Sequence, residues 1–525
     1  MSETAKAHGG QSSTGKMSVL PAVEPYDCVV VGGGLSGLSC AAVLAAARWR
    51  VLVCEKQPTA GGCCISFWRK GYRFDLSVQS YSGCGPDGVI GSLLRQLGVE
   101  NEIEFQRLDP AREYLFPDRT IHLSASLESY REHLLEQFPR ERSGIANYLR
   151  LQQDIFDEIH RLPVEIPLSA AARFERDYPH LTAYRRARLS DVLAAHISDP
   201  RLRTILAVRS SYFALPPSQA SFLAVSNMEM NYFAEGVYVA RGGAQALSDI
   251  LVTAIKRQSG ELALGTEVKR IRHERGRVVG VETADGQTIA ARRVVATIAP
   301  TVVFHGLLDP PLASRHHYWR RLASLRTSAS YFIAFWGTTT DDLGGSPNAN
   351  KEVFEDYDLE HEYAALAAGK MDPRAPCFIL IPSLVGREAV PEGRGQTVCA
   401  SVKALYAPDG GWTRERRKAL AGQLFERARR CLPGFDRAQI EVTELVTPAV
   451  IERLTGNLNG SPYGWAHVPE QVGLDRPGPA TPIRGLYLAG HWTRPGGGVA
   501  SVIVSGRSLA TRLLARDDGI GKDKA

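Results

Sequence analysis

The residues best suited to chemistry stand near the two ends of the chain. At the N-terminal end, "VVVGGGLSGLSC" runs from Val29 to Cys40. Gly32, Gly34 and Gly37 satisfy G-x-G-x-x-G, and Glu55 follows Gly37 by 18 residues. In such a pattern the first glycine allows a tight turn and the second lets a pyrophosphate approach the backbone. The third lets a helix pack closely on a strand. Leu35 and Ser36 open that helix, where unpaired N–H groups and the positive dipole end suit a phosphate. Glu55 can accept hydrogen bonds from a ribose diol and repels a 2′-phosphate; Lys56 adjoins it. At the C-terminal end, "LAGHWTRPGGGVASV" spans Leu488 to Val502. Gly490 ends a short apolar run, and Gly498 and Val499 open a second helix with N–H groups free for a cofactor. His491 and Trp492 between them are the candidates to line a cofactor or substrate. The alternative is that they pack as a loop pair at a domain interface.

These residues need particular elements to hold them. "YDCVVV", Tyr26 to Val31, is a short apolar run that predicts a buried parallel strand. "LSGLSCAAVLAAA" from Leu35 predicts a helix, and "VLVC", Val51 to Cys54, a second strand. Strand, glycine loop, helix, strand and terminal acid agree on a dinucleotide site. Further on, "VVGVETADGQTIAARRVVAT" predicts a hairpin turning at Asp285-Gly286 and then a strand. "YFIAFW" (Tyr331 to Trp336), "CFILIP" (Cys377 to Pro382) and "TVCASVKALY" (Thr397 to Tyr406) predict strands of a second sheet. The stretch from Arg140 to Leu206 is helical in pattern, broken by Pro163, Pro167, Pro179 and Pro200. A glycine-rich break at 344–350 predicts a surface loop.

Past Glu55 the chain reads "EKQPTAGGCCISFWRKGYRFD". Gly61 and Gly62 form a second patch without side chains, where backbone can pass close to a long cofactor. The acid, short spacer, Gly-Gly pair and Gly71-x-x-Phe74-Asp75 resemble the flavin-binding amine oxidase and phytoene desaturase superfamily. "GGCC" followed by "GYRFD" is most similar to its carotenoid (prolycopene) isomerase and retinol saturase branch. Cys63 stands where many members carry Arg, Ser77 where the family has Gly, and His491 where many have an acid. The resemblance spans roughly residues 25–515 discontinuously. It implies an α/β fold, with a Rossmann-type FAD-binding domain and an interleaved α+β substrate-binding domain. The FAD domain would comprise 25–100, 236–300 and 480–515, and the substrate domain 101–235 and 301–479. Val268 would meet the adenine side of FAD through its backbone, and the loop at Gly490–Val499 would face the flavin ring. The implied activity is oxidoreduction of an apolar conjugated isoprenoid such as a carotenoid, by desaturation, saturation or cis–trans isomerisation. A flavin amine oxidase and a non-catalytic flavin-binding protein are the rivals.

Other residues are weaker candidates. Tyr463 and Trp465 in "SPYGW" could wall an apolar tunnel or fill a core. Asp75 suits a structural acid better than a catalyst. Glu229 and Glu235 could be polar groups at the pocket. No G-x-S-x-G, H-E-x-x-H or metal-spaced cluster occurs in the sequence, so no metal is expected. "RHHYWRR" (Arg315 to Arg321) and "AYRRARL" (Ala183 to Leu189) mix basic with aromatic or apolar residues. Such segments can lie on a membrane surface or be plain solvated surface. The net charge of +6 over 525 residues, without a long basic block, does not point to nucleic acid. Nine cysteines without paired spacing read as reduced thiols. No apolar run reaches bilayer length and no signal-peptide pattern is present. A cytoplasmic protein, peripheral to a membrane, is therefore expected, with disordered tails at 1–24 and 516–525. The oligomeric state is not specified by any of these features.

Overall fold

The computed structural model describes residues 24–78, 80–163, 173–308 and 316–517. The tails expected at 1–24 and 516–525 lie outside them, except Glu24 and the end of the last helix, which runs to Asp517. Pro167 and Arg315 also lie outside the described residues.

The first sheet is wholly parallel. Its strands lie in the order Glu261–Leu264, Val51–Glu55, Cys28–Val31, Val294–Ala296 and Leu486–Leu488. The short apolar runs are central strands covered on both faces, as continuous hydrophobicity requires. Val30 points into one core, with helices Leu35–Ala46, Ala244–Arg257 and Val499–Asp517. Val29 and Val31 point into the other, against the antiparallel strands Val268–Glu274, Arg277–Thr283 and Thr288–Ala290. The predicted Asp285-Gly286 turn joins the last two. Leu35 to Ala45 are all buried, which explains a helix without a polar stripe.

The second sheet has seven strands in the order Ile440–Val446, Ser330–Thr338, Gln396–Ala404, Cys377–Leu380, Asn350–Val353, Arg112–Leu115 and Thr120–Leu123. All pairs are antiparallel except Asn350–Val353 with Arg112–Leu115. The three predicted strand runs fall at its centre. One face packs on helix Arg414–Cys431 and the other looks towards the parallel sheet. The helical region contains Arg142–Arg161, Leu189–His196 and Pro200–Ala207. Pro179 and Pro200 start helices instead of breaking them, because a first-turn N–H is unbonded anyway. The fold class is thus the expected one, a Rossmann-type α/β sheet with an interleaved α+β unit.

Two expected boundaries differ. Phe105–Arg107, placed beyond the break at 100/101, pairs with Val237–Ala240, whose other edge holds Tyr81–Ser82. The hairpin Ser66–Arg69 and Tyr72–Asp75, assigned to the nucleotide unit, inserts Tyr72, Phe74 and Leu76 into a core with Ile333, Phe335 and Cys399. Both apolar faces needed a partner that local sequence does not name. The loop at 344–350, expected at the surface, closes over buried Lys351, whose Nζ donates to the Ser346 and Asn348 carbonyls and to Glu113.

Candidate cofactor and substrate site

A cavity of about 650 Å³ runs from the carboxyl ends of the parallel strands to the face of the seven-stranded sheet. This is the crevice in which open parallel sheets bind ligands. Gly32, Gly34, Leu35, Ser36, Glu55, Lys56, Gly61, Gly62 and Val268 line one end. Gly490, His491, Gly498 and Val499 line the wall beside them. Two predicted residues do not reach it. Gly37 is a packing glycine: a Cβ there would lie 2.2 Å from the Gly32 carbonyl oxygen. Trp492 is also off the cavity. It is 1% exposed and packs edge-on against Trp465, with ring centroids 4.9 Å apart, beside Ala299. The loop-pair alternative therefore describes Trp492. The indole turns away because it has an apolar slot to fill.

The nucleotide end fits a pyrophosphate. A Cβ added at Gly34 would meet nothing within 4 Å, so the backbone there is open to the cavity. The Ser36 hydroxyl is buried at the helix start without a partner. Glu55 is held rigidly: its carboxylate accepts from Gly33 N–H at 2.7 Å and Gln57 N–H at 2.8 Å. Gly61 and Gly62 do more than leave room for a cofactor. Gly61 N–H donates to the Gly33 carbonyl at 2.7 Å, and a Cβ on Gly62 would lie 3.2 Å from Gly34 Cα. The second glycine pair braces the first loop by backbone contact. Cys63 lines the cavity with its thiol pushed up to about 11 by burial. It is a neutral polar contact, not a thiolate.

The wall carrying His491 is organised by a residue that the sequence did not advertise. Arg476, 1% exposed, donates to the carbonyls of Tyr463, Trp465, Gln471, His491 and Thr493. One guanidinium thus ties the 463–471 segment to the 491–493 turn. Burial lowers its pKa to about 9, so it stays charged at neutral pH, and its hydrogen-bond partners are all carbonyl oxygens. His467 lies alongside: it stacks on Phe213 at 4.1 Å, and its Nε2 accepts from Gly497 N–H at 3.3 Å. Burial, then the charge of Arg476, holds the His467 imidazole well below the usual range. The same two causes take His491 down to about 3, with its Nε2 covered and unpartnered. Both rings are neutral, so neither delivers a proton near pH 7. In ¹⁵N-histidine-labelled protein, the two rings assigned through His467→Gln and His491→Gln should keep neutral-form shifts from about pH 8 to pH 5. A midpoint near the unperturbed ~6.5 for either would contradict this.

The other sequence candidates separate cleanly. Tyr463 lines the cavity, whereas Trp465 is core. Asp75 accepts from Ser66 and from Ala244 N–H, anchoring the helix at Ala244. Glu229 is buried against Gln152 at 2.8 Å and Glu235 sits near Gly83, both off the cavity. Of the basic stretches, Arg185 and Arg186 pair with the Asp475 carboxylate at 2.9 and 3.1 Å, and Arg321 donates to its carbonyl. No group of three or more metal-ligating side chains occurs among the described residues. No helix among them is long and apolar enough to cross a membrane. Missed altogether were Arg112, Tyr212, Tyr232 and Asn231 at the far end. They come from scattered elements without a shared motif.

Comparison with known proteins agrees with this geometry. The chain is 25% identical over 520 residues to prolycopene isomerase, chloroplastic, of Arabidopsis thaliana, covering 95% of this chain and 84% of that one. It is 26% identical over 504 residues to hydroxyneurosporene desaturase of Rhodobacter capsulatus, covering 93% and 98%. Wild-type putrescine oxidase bound to putrescine shares the fold, with a TM-score of 0.63 at 16% identity over 93% of this chain and 99% of that one. Residues 35–514 match the model for flavin containing amine oxidoreductase. With that match over most of its length, the chain belongs to the flavin-containing amine oxidoreductase family.

Proposed function

We propose that this protein is an FAD-dependent oxidoreductase or isomerase of the phytoene desaturase type, acting on an apolar conjugated chain such as an isoprenoid polyene. The observation that carries the reading is the continuity of the cavity. A dinucleotide cradle at one end opens, past the Gly490–Val499 wall, into a chamber walled by Ile333, Leu380, Phe378, Met228 and Phe213. FAD, when bound, supplies two-electron chemistry that needs no acid–base pair from the protein. The chain's own residues position and desolvate. Gly32, Gly34 and Ser36 hold phosphate, and Glu55 holds ribose. The start of helix Val499–Asp517, backed by the buried charge of Arg476, favours negative charge beside the wall. His467 and His491, locked neutral, keep that wall dry and proton-inert. The apolar side chains align a double-bond system and exclude water.

Prolycopene isomerase and hydroxyneurosporene desaturase, the relatives matched along most of this chain, bear names of carotenoid chemistry. The amine oxidase rival is disfavoured by electrostatics, because the chamber's far end presents the Arg112 guanidinium, which repels an ammonium substrate. The test is an anaerobic incubation with mixed cis and trans polyenes, once oxidised and once pre-reduced, with product mass and absorbance read together. A mass change identifies desaturation or saturation by its sign. Unchanged mass with an altered isomer ratio, only after pre-reduction, identifies isomerisation. Peroxide release with amines and inertness towards polyenes would overturn the reading.

A further inference from the structure

We propose that the far end of the chamber is a carboxylate site, in which Arg112 holds the acid terminus of an otherwise apolar substrate. The proposal deepens the functional reading above and rests on it. Arg112 opens the strand Arg112–Leu115 and is 6% exposed, with the little surface it keeps facing the cavity. Its guanidinium lies beside a pair of rings, 5.2 Å from the centroid of Tyr212 and 5.5 Å from that of Phe378, which meet edge-on at 5.6 Å. It makes no hydrogen bond or ion pair with any described residue, and its Nη1 is covered and unpartnered.

Such isolation is unusual in this fold. Lys351 has Glu113 at 3.0 Å and Lys403 has Glu362 at 3.2 Å. Arg427 has the carbonyls of Pro373 and Ala375, and Arg476 has five. A buried guanidinium offers five donors and is strongly penalised when none is used. Arg209 adds to the field. It is 1% exposed, with Nε and Nη2 unpartnered, 4.9 Å from Tyr212 and 4.0 Å from Tyr232, but it does not line the cavity.

None of the acids facing this cluster makes an ion pair or hydrogen bond with Arg112. Glu229 is engaged by Gln152. Glu362 is taken by Lys403. Glu352 accepts from Ser211 at 3.3 Å and adds a negative field at a distance from Arg112 and Lys403, but it pairs with neither and leaves the Arg112 donors unused. The unused donors of Arg112 therefore remain for a ligand in the chamber. A single planar fork facing an apolar chamber matches one carboxylate in bidentate fashion. A diphosphate would require more cations than the one that lines this end.

The experiment is a fluorescence titration of the flavin-loaded protein near pH 8 with three ligands of one carbon skeleton: all-trans-retinoic acid, its methyl ester and all-trans-retinol. The wild type should bind the acid at least tenfold more tightly than ester or alcohol. Arg112→Met should bring the three affinities together, and Arg112→Lys should retain part of the preference. Flavin content should be unchanged in both variants. The melting temperature of Arg112→Met without ligand should not fall, since no hydrogen bond or ion pair of the guanidinium is lost, and the two ring contacts that go are offset by removing a buried charge with unused donors. A structural role would lower it. Equal binding of acid and ester by the wild type overturns the carboxylate site and leaves the apolar chamber standing. So does an acid preference that survives in Arg112→Met. Failure to bind any of the three overturns the chamber reading together with the site.

Discussion

Purified protein carrying Arg476→Met should lose its flavin and unfold at a clearly lower temperature than the wild type. Methionine fills much of the same volume, so packing is largely kept. What disappears is the single donor group for five carbonyls on two segments. Each buried acceptor left without a partner costs about 1–3 kcal/mol, partly relieved where water can enter. A net loss of about 3–5 kcal/mol is expected, the range for breaking a buried charged network. The functional consequence is sharper than the thermodynamic one. Arg476 holds Gly464 under His491, where a Cβ would come within 2.5 Å of the ring, and sets His467 against Gly497. Once these segments slide apart, the wall from Gly490 to Val499 no longer has one shape. Flavin absorbance of the purified variant, together with its thermal unfolding, measures both effects. Arg476→Lys keeps the charge with three donors and should be intermediate. A variant with full flavin content and wild-type stability would show that the carbonyls do not depend on this side chain.

Valine at Gly34 and valine at Gly37 should fail in different ways, although the two glycines belong to one motif. Gly34 has ordinary extended backbone, with φ −74° and ψ 170°, and its Cβ direction is open to the cavity. Gly34→Val should fold with a stability within about 0.5 kcal/mol of the wild-type apoprotein, as for an exposed site. Its affinity for FAD should fall at least ~100-fold, about 2.7 kcal/mol, because the side chain occupies the phosphate seat. At Gly37 a Cβ would lie 2.2 Å from the Gly32 carbonyl oxygen and 3.1 Å from Val30. Gly37→Val must push the helix off the sheet. It should cost about 3 kcal/mol or more in stability before any cofactor is added. Unfolding of the two apoproteins, followed by titration with FAD, separates the cases. Stoichiometric FAD in Gly34→Val would remove the pyrophosphate from this end of the cavity.

Two features were fully legible in the chain as written. Local periodicity and the glycine spacing determine the strand, loop, helix and strand that begin at Cys28, because backbone sterics and continuous apolarity act over neighbouring residues. The same locality makes the Gly490–Val499 loop visible. What local sequence could not supply was the partner across the chain. Gly61 braces Gly33. The hairpin at Ser66–Asp75 packs on strands more than 250 positions further along the chain. Trp492 and His491 are adjacent in sequence, yet one fills a core and the other faces the cavity. That choice depends on which apolar slot the fold leaves open. Arg112 and Arg476 read alike as isolated arginines on a line of text. Only the tertiary structure distinguishes them, since a buried charge takes its meaning from the acceptors around it: five carbonyls for Arg476, and for Arg112 two aromatic rings and an open chamber.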